Sequence, residues 1–359
     1  MIEIKNEDFQ VSILPVSSQE NRPLWSVMIP TYNCADYLRH TLNAILAQDL
    51  GADLMQIEVI DDCSTQDDPK QVVEEVGKGR VSFYQQPQNV GYIKNFNTCL
   101  QRSRGQFVHL LHGDDYVSDK FYEKMQQLFE QHSEIGAAFC RHFIVDESGN
   151  QLHVSSLELE QSGILPNWVD KIAIFNQFQP PAMVVRREVY EQIGGFDSRI
   201  ACCGEDWEMW LRIAAFYPVA FEPEPLASYR SHTSSLTGRC RRSGQNVRDM
   251  KQIIEIAYSY LPKDKRNKLS QDAKDYVACW AIDIASEMLK NSDMAAVTQL
   301  QEAFKCSHSR QVIASKTLLA VKIILKLPGT LLSANYQTLR CYLAVLRSLV
   351  LFHSQAGIH

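Results

Sequence analysis

No C-x-x-C pair occurs in this sequence, although it holds ten cysteines. Without that spacing a zinc ribbon and a thioredoxin-like redox motif are unavailable, and the adjacent Cys202 and Cys203 do not form the framework of a small secreted scaffold. The cysteines therefore read as reduced thiols of a cytoplasmic protein. Neither G-x-G-x-x-G nor G-x-x-x-x-G-K-[ST] is present, which removes the dinucleotide fingerprint and the P-loop. No window approaches the ~18 uncharged apolar residues that a transmembrane helix needs. The opening stretch "MIEIKNEDFQVSILPVSSQE" lacks the apolar centre of a secretory signal. An excess of basic residues is missing too: 36 Lys and Arg stand against 42 Asp and Glu, a net charge of −6. That balance gives no general argument for nucleic acid.

One absence is local. After Glu302 no acidic residue follows, while Lys305, Arg310, Lys316, Lys322, Lys326, Arg340 and Arg347 do, so this tail carries +7 and the rest −13. The tail is helical by its apolar period. Leu318, Val321 and Leu325 fall on one face with Lys322 and Lys326 on another, and Tyr342, Val345, Leu346 and Leu349 oppose Arg340 and Arg347. Such helices either cap a catalytic domain or lay a basic surface on anionic lipid.

What is present is a chain of 359 residues with 45% hydrophobic content, enough for one large domain and a smaller one. "WSVMIP" (25–30) reads as a buried strand, and Leu38, Leu42, Ile45 and Leu46 as a helical stripe. Strand "QIEVI" (56–60), a charged helix, strand "VSFYQQ" (81–86), a helix around 92–102 and strand "QFVHLL" (106–111) follow. Ser118 is placed to cap a further helix carrying Phe121, Met125, Leu128 and Phe129. Strands alternating with helices predict an α/β fold with a mainly parallel sheet flanked by helices.

Such sheets bind ligands at the carboxyl ends of their strands. Three polar loops fall there: Thr31-Tyr32-Asn33, Asp61-Asp62-Cys63-Ser64 and Gly113-Asp114-Asp115. The last pair is conspicuous, because two carboxylates ~4 Å apart repel by ~4 kcal/mol at an effective dielectric of ~20. The pair stays ionised comfortably only beside water, donors or a cation. Each loop alone could be a solvated turn, and Asp61 or Asp62 could simply cap the next helix. Three at one edge are better explained by one ligand, and with no phosphate-binding lysine loop a carboxylate-held divalent cation is the expected counterion for a diphosphate.

Seven motifs in order, "PTYN" (30–33), "DDCS" (61–64), "NVGYIKNFN" (89–97), "HGDD" (112–115), "GGFD" (194–197), "GEDWEMWLR" (204–212) and "YRSH" (229–232), resemble those of the family 2 glycosyltransferases with the GT-A fold, over roughly residues 25–236. The resemblance implies a 25–240 catalytic domain, behind a 1–24 extension and ahead of a helical, basic 241–359 region. It implies an inverting, metal-dependent enzyme that moves one sugar from a nucleotide-sugar, expected to be a UDP-sugar, to a saccharide or lipid-linked acceptor in surface polysaccharide biosynthesis. Residue by residue, Tyr32 would face the nucleotide base from the loop it shares with Pro30 and Asn33, Asp62 would accept from the base, and Lys94 would approach the diphosphate. Asp114 would hold ribose or sugar hydroxyls, and Asp115 would bind Mn²⁺ or Mg²⁺. Arg230 would lie near the diphosphate and His232 would complete the metal site. Asp206 would be the general base, with Glu205 the second carboxylate beside it and Trp207 a candidate lining of the sugar pocket. No Q-x-x-R-W follows "GED", which departs from the processive synthases of the family.

Each residue has a plainer reading beside this one. Acids at the start of a helix oppose its dipole, which would account for Glu205 and Asp206. Trp207 and Trp210 at i, i+3 suit a core, and Lys94 suits a solvated helix face. A nucleotidyltransferase making nucleotide sugars can share such a sheet, but needs a Gly- and Arg-rich phosphate loop that "PTYNCADY" does not supply. A catalytically inactive sugar-nucleotide binder is the alternative from outside enzymes. Intact Asp115 and Asp206 argue against it.

Overall fold

The apolar run at 25–31 becomes β1 (Trp25–Thr31), with all seven residues buried. A strand covered on both faces reads as continuous rather than alternating hydrophobicity. The structure, a computed structural model, describes residues 11–17, 22–231, 236–333 and 336–355. The chain divides into two units.

The first unit takes the described residues of Met1–Ile172, Asn176–Arg199 and Glu208–His232. After β1 come α1 (Ala35–Leu46), β2 (Met55–Asp61), α2 (Pro69–Gly77), β3 (Ser82–Gln85), α3 (Tyr92–Arg102) and β4 (Phe107–Leu110). These follow the alternation in the sequence. β5 (Tyr116–Val117), α4 (Phe121–Gln131), β6 (Ala137–Val145), β7 (Gln151–Val154), β8 (Gly163–Ile164), α5 (Trp168–Ile172), β9 (Met183–Arg186), α6 (Arg187–Ile193), α7 (Glu205–Phe216, from Glu208 onward) and β10 (Val219–Arg230) complete the mixed α/β architecture. The sheet runs β3-β2-β1-β4-β9-β6-β10-β5, with β7 on β6 and β8 on β10. β3, β2, β1 and β4 are mutually parallel, while β9 joins β4 and β6 antiparallel.

α1 buries Leu38, Leu42 and Ile45, the stripe expected from the 3.6-residue period. α2 is capped by Asp68, whose Oδ1 accepts from the Gln71 amide at 3.0 Å, with Pro69 at the first helical position. That leaves Asp61 and Asp62 free of capping duty. α4 departs from expectation at its start. Its N-cap is Lys120 in the left-handed region (φ 68°), not Ser118. The Ser118 amide instead donates to the Leu226 carbonyl on β10 at 2.8 Å, a contact between distant segments that a local capping rule cannot see.

The second unit takes the described residues of Ala173–Phe175, Ile200–Trp207 and Thr233–His359. Its helices are α8 (Leu236–Ser243), α9 (Gln245–Ala257), α10 (Arg266–Lys290), α11 (Ala295–Cys306), α12 (Arg310–Ser333) and α13 (Tyr336–Gln355). α13 buries Tyr342, Val345 and Leu349, as its period predicts. Among the described residues no helix is long and apolar enough to cross a membrane. The reading of all ten cysteines as thiols is corrected here: Cys202 and Cys240, Cα atoms 6.2 Å apart, form a disulfide. The other eight are free. Short-spacing rules overlook a pair 38 residues apart, because tertiary folding and not local sequence brings the loop residue Cys202 to Cys240 on α8.

Candidate active site

β1, β2 and β4 are parallel neighbours, so their outgoing loops leave one edge of the sheet. The Pro30 carbonyl accepts from the Gly113 amide at 3.1 Å, and the Met28 carbonyl from Leu111 at 3.0 Å. These bonds lay the "HGDD" segment against the end of β1. A Cβ on Gly113 would stand 2.9 Å from Thr31 Oγ1 and 3.0 Å from Cys34 Sγ, so the close approach needs glycine. Buried Thr41, from α1, places its hydroxyl 2.7 Å from the Asp115 carbonyl oxygen and 3.0 Å from that of Gly113. The turn is held from both sides.

Asp115 is 1% exposed. Its Oδ1 accepts from the Arg230 backbone amide at 2.8 Å, while the buried Oδ2 has no hydrogen-bond partner. Burial, with the Asp114 charge beside it, pushes its pKa well above the ordinary carboxylate range. His112 stacks on Phe96 with centroids 4.9 Å apart. Its Nδ1 stands 3.8 Å from Asp115 Oδ2, and its buried Nε2 also lacks a partner. Burial lowers the imidazole pKa, with Asp114 opposing, so the ring favours the neutral, ligating form. His112, Asp114 and Asp115 each offer one ligand atom, all within 4.8 Å of one another. An orphaned carboxylate oxygen with an imidazole nitrogen 3.8 Å away and a second carboxylate alongside is the donor set of a divalent cation, and the residues present fit one.

Arg230, 4% exposed, is a clamp on this turn. Its Nε donates to the Asp114 carbonyl at 2.9 Å, and Nη1 to the Glu147 and Asp146 carbonyls at 2.9 and 3.2 Å. Nη2 faces His40 Nδ1 at 3.3 Å, and the guanidinium lies 4.7 Å from the Tyr37 ring centre. The diphosphate contact expected of Arg230 thus meets a side chain whose donors are mostly engaged with protein. His232, expected at the metal, lies outside the described residues.

Asp62 organises the neighbouring loop. Its Oδ1 accepts from Val90 N–H at 2.7 Å and its Oδ2 from Gly91 N–H at 3.0 Å, while Asn89 donates to its carbonyl. Asn33 accepts from the Thr65 and Gln66 amides through Oδ1, tying the first loop to the second. Its φ of 50° is one that asparagine tolerates. Tyr32 is 47% exposed, a free aromatic face beside these loops. Lys94, on α3, points to solvent.

Further along, Asn97 clamps the "GGFD" loop, donating to the Phe196 carbonyl at 3.0 Å and accepting from its amide at 2.8 Å. Arg212 holds the same loop through the Ile193 and Gly195 carbonyls and pairs with buried Glu208. Trp210 packs in the core against Phe178 and Phe196.

In the second unit, Gly204 takes φ +89°, a conformation suited to glycine. The chain then enters α7, so Glu205 and Asp206 occupy its first turn. Asp206 is partly exposed and its Oδ1 accepts from the Trp207 amide at 2.7 Å. Fully buried Asp249 accepts from the Cys202 and Cys203 amides at 2.8 and 3.1 Å, fixing the segment that precedes Asp206. Trp207 is 2% exposed, which favours packing over lining an open sugar pocket.

Sequence reasoning singles out neither His112, Thr41 nor Asn97. The histidine stands inside the "HGDD" motif, and its place two residues from the aspartate pair is the available signal. Thr41 and Asn97 act across long sequence separations and leave no local trace.

Residues 26–194 match the family described as Glycosyl transferase family 2. A Haemophilus influenzae protein named an uncharacterized glycosyltransferase is 26% identical over 76% of this chain and 85% of its own length. A Staphylococcus aureus poly(ribitol-phosphate) beta-N-acetylglucosaminyltransferase, TarS, is 32% identical over 30% of this chain and 19% of its own length. The crystal structure of TarS residues 1–349 in complex with UDP-GlcNAc superposes with a TM-score of 0.64 at 16% identity, covering 92% of each chain. The Pyrobaculum calidifontis mannosyltransferase PcManGT, solved in complex with GDP-Man and Mn²⁺, gives 0.56 at 18% identity, covering 97% of this chain and 89% of that one. At such identities the structural likeness speaks to the GT-A fold.

Proposed function

Because residues 26–194 belong to glycosyl transferase family 2 and the chain is a glycosyltransferase, we propose that it transfers one sugar, with inversion, from a UDP-sugar to a hydroxyl of a saccharide or lipid-linked acceptor, in surface polysaccharide biosynthesis. The observation that carries this reading is the donor set at the carboxyl edge of the sheet, the partnerless buried Asp115 Oδ2 with His112 Nδ1 3.8 Å away. With Asp114 they would hold one divalent cation, which supplies positive charge against the departing diphosphate. A mixed carboxylate and imidazole set favours Mn²⁺ over Mg²⁺.

The chain's own residues supply the rest. Asp62 retains lone pairs for a base N–H, since each carboxylate oxygen accepts more than one bond. Tyr32 offers its exposed ring to the base, with Pro30 and Asn33 fixing the loop that carries it. Arg230 keeps Asp114 and Asp115 in register, and Lys94, exposed on α3, is the cation available to phosphate. Asp206 takes the proton of the acceptor hydroxyl, so that a neutral nucleophile becomes competent as the bond forms. Glu205 stands next to it as the second carboxylate. The names of two structural neighbours, one crystallised with UDP-GlcNAc and one with GDP-Man and Mn²⁺, support a nucleotide-sugar donor.

The test is nucleoside diphosphate release with a panel of donors, with and without Mn²⁺. A UDP-sugar should be turned over only with metal, and Asp115→Ala should lose at least ~100-fold in metal-dependent nucleotide affinity. Calorimetry showing unchanged affinity and unchanged metal dependence in Asp115→Ala would remove the assignment.

A further inference from the structure

α12 turns its apolar residues to two sides. Val312, Leu319 and Ile323 are buried, as is Lys316, whose ammonium lies 4.7 Å from the centre of the Phe304 ring. Leu318 and Val321, which the apolar period would assign to a packed face, are instead 56% and 46% exposed, and Ile313 and Ile324 are 39% and 56% exposed. At ~100° per residue these four occupy an arc about 140° wide. Single exposed aliphatics are ordinary, but a row of them along one helix face marks an interaction surface.

The charges on α12 and α13 themselves have one sign. Exposed Arg310 opens the row and exposed Lys322 borders it, while Arg340 and Arg347 are exposed on α13. No acid lies anywhere from 303 to 359. A second copy of this chain would set these cations against themselves, which opposes a symmetric dimer. A nucleic-acid backbone would meet the cations and leave the aliphatic row without a partner. An anionic bilayer satisfies both.

We infer that the Ile313–Leu318–Val321–Ile324 face of α12 lies in the interface of an anionic lipid bilayer, with Arg310 and Lys322 at the headgroups. The aliphatic side chains enter the headgroup and acyl boundary, and the basic side chains extend their stems along it. This deepens the lipid-linked acceptor reading, and vesicle binding is measured without donor or acceptor, so the two can fail separately.

The test is flotation of the full chain with phosphatidylcholine vesicles and with vesicles carrying about 30% phosphatidylglycerol, at low and high salt. Binding is expected on the anionic vesicles alone, weaker in high salt. Arg310→Gln with Lys322→Gln should lower partitioning roughly 25-fold, about fivefold per cation. Leu318→Gln, Val321→Gln and Ile324→Gln together should lower it at least tenfold, at every salt concentration. Circular dichroism establishes that the variants fold, and if the triple variant does not, the charge variant decides alone. Equal binding to both vesicles, binding to neither, or unchanged binding in the folded variants overturns the inference. So does a dimer in sedimentation that the face variants convert to monomer.

Discussion

His112 is the residue that tertiary packing adds to the aspartate pair. Its imidazole is held by stacking on Phe96, with Nδ1 turned toward Asp115 Oδ2. His112→Ala should weaken Mn²⁺ about 10–100-fold, as loss of an orienting or ligating imidazole does. It should also narrow the preference for Mn²⁺ over Mg²⁺, since oxygen ligands alone suit the harder ion. Pulsed electron paramagnetic resonance of bound Mn²⁺ gives an independent check: nitrogen coupling present in the wild type should vanish in the variant. Asp206→Asn separates the base from a helix cap. A base predicts donor affinity near wild type with single-turnover rates down ~10²–10⁴. A cap predicts at most about 1 kcal/mol of lost stability and turnover nearly intact. Transfer within tenfold of wild type by a folded variant would turn attention to Glu205.

At the scale of elements, α7 is anchored by one buried pair. Glu208 and Arg212 are each 1% exposed, and Arg212 also donates to Ile193 and Gly195 carbonyls. Glu208→Gln leaves the guanidinium buried without its countercharge. About 3 kcal/mol of destabilisation is expected, read as a shift in the urea midpoint at constant slope. Elements with a strong period are legible in the amino-acid sequence: β1, α1, α3 and β4 stand where "WSVMIP", the Leu38 stripe, the 92–102 helix and "QFVHLL" put them. The start of α4 is not, because Ser118 is drawn to β10. The strands from β6 to β10 leave little local signal, being short or joined to partners far along the chain.

At the scale of the whole molecule, His109 and His142 are buried in the neutral form. His109, between the Tyr122 hydroxyl and the Pro181 carbonyl, and His142 both have pKa values pushed down to about 4 by burial. The unfolded chain binds these protons near the ordinary histidine value, ~6.5. Between that value and about 4 the unfolded state holds more protons, so stability rises with pH and is lost on acidification through this window. Each histidine contributes on the order of 3 kcal/mol across it. Urea midpoints measured from neutral pH down to about 4.5 should fall steeply, and less steeply in His109→Gln. A slope unchanged by that substitution would assign the acid sensitivity to other groups.

The sequence by itself determined the α/β class, the family and the three polar loops, because period-2 and period-3.6 patterns and short ordered motifs are local properties of a chain. It also determined the one-signed tail. Only the tertiary structure decided what each side chain faces. Packing brought His112 to Asp115, fastened Arg230 to three backbone carbonyls, and paired Cys202 with Cys240. It also chose which aliphatic row of α12 meets the core and which is left outward. Helical periodicity groups residues onto faces, but the neighbour that covers a face comes from elsewhere in the chain, where no local rule reaches.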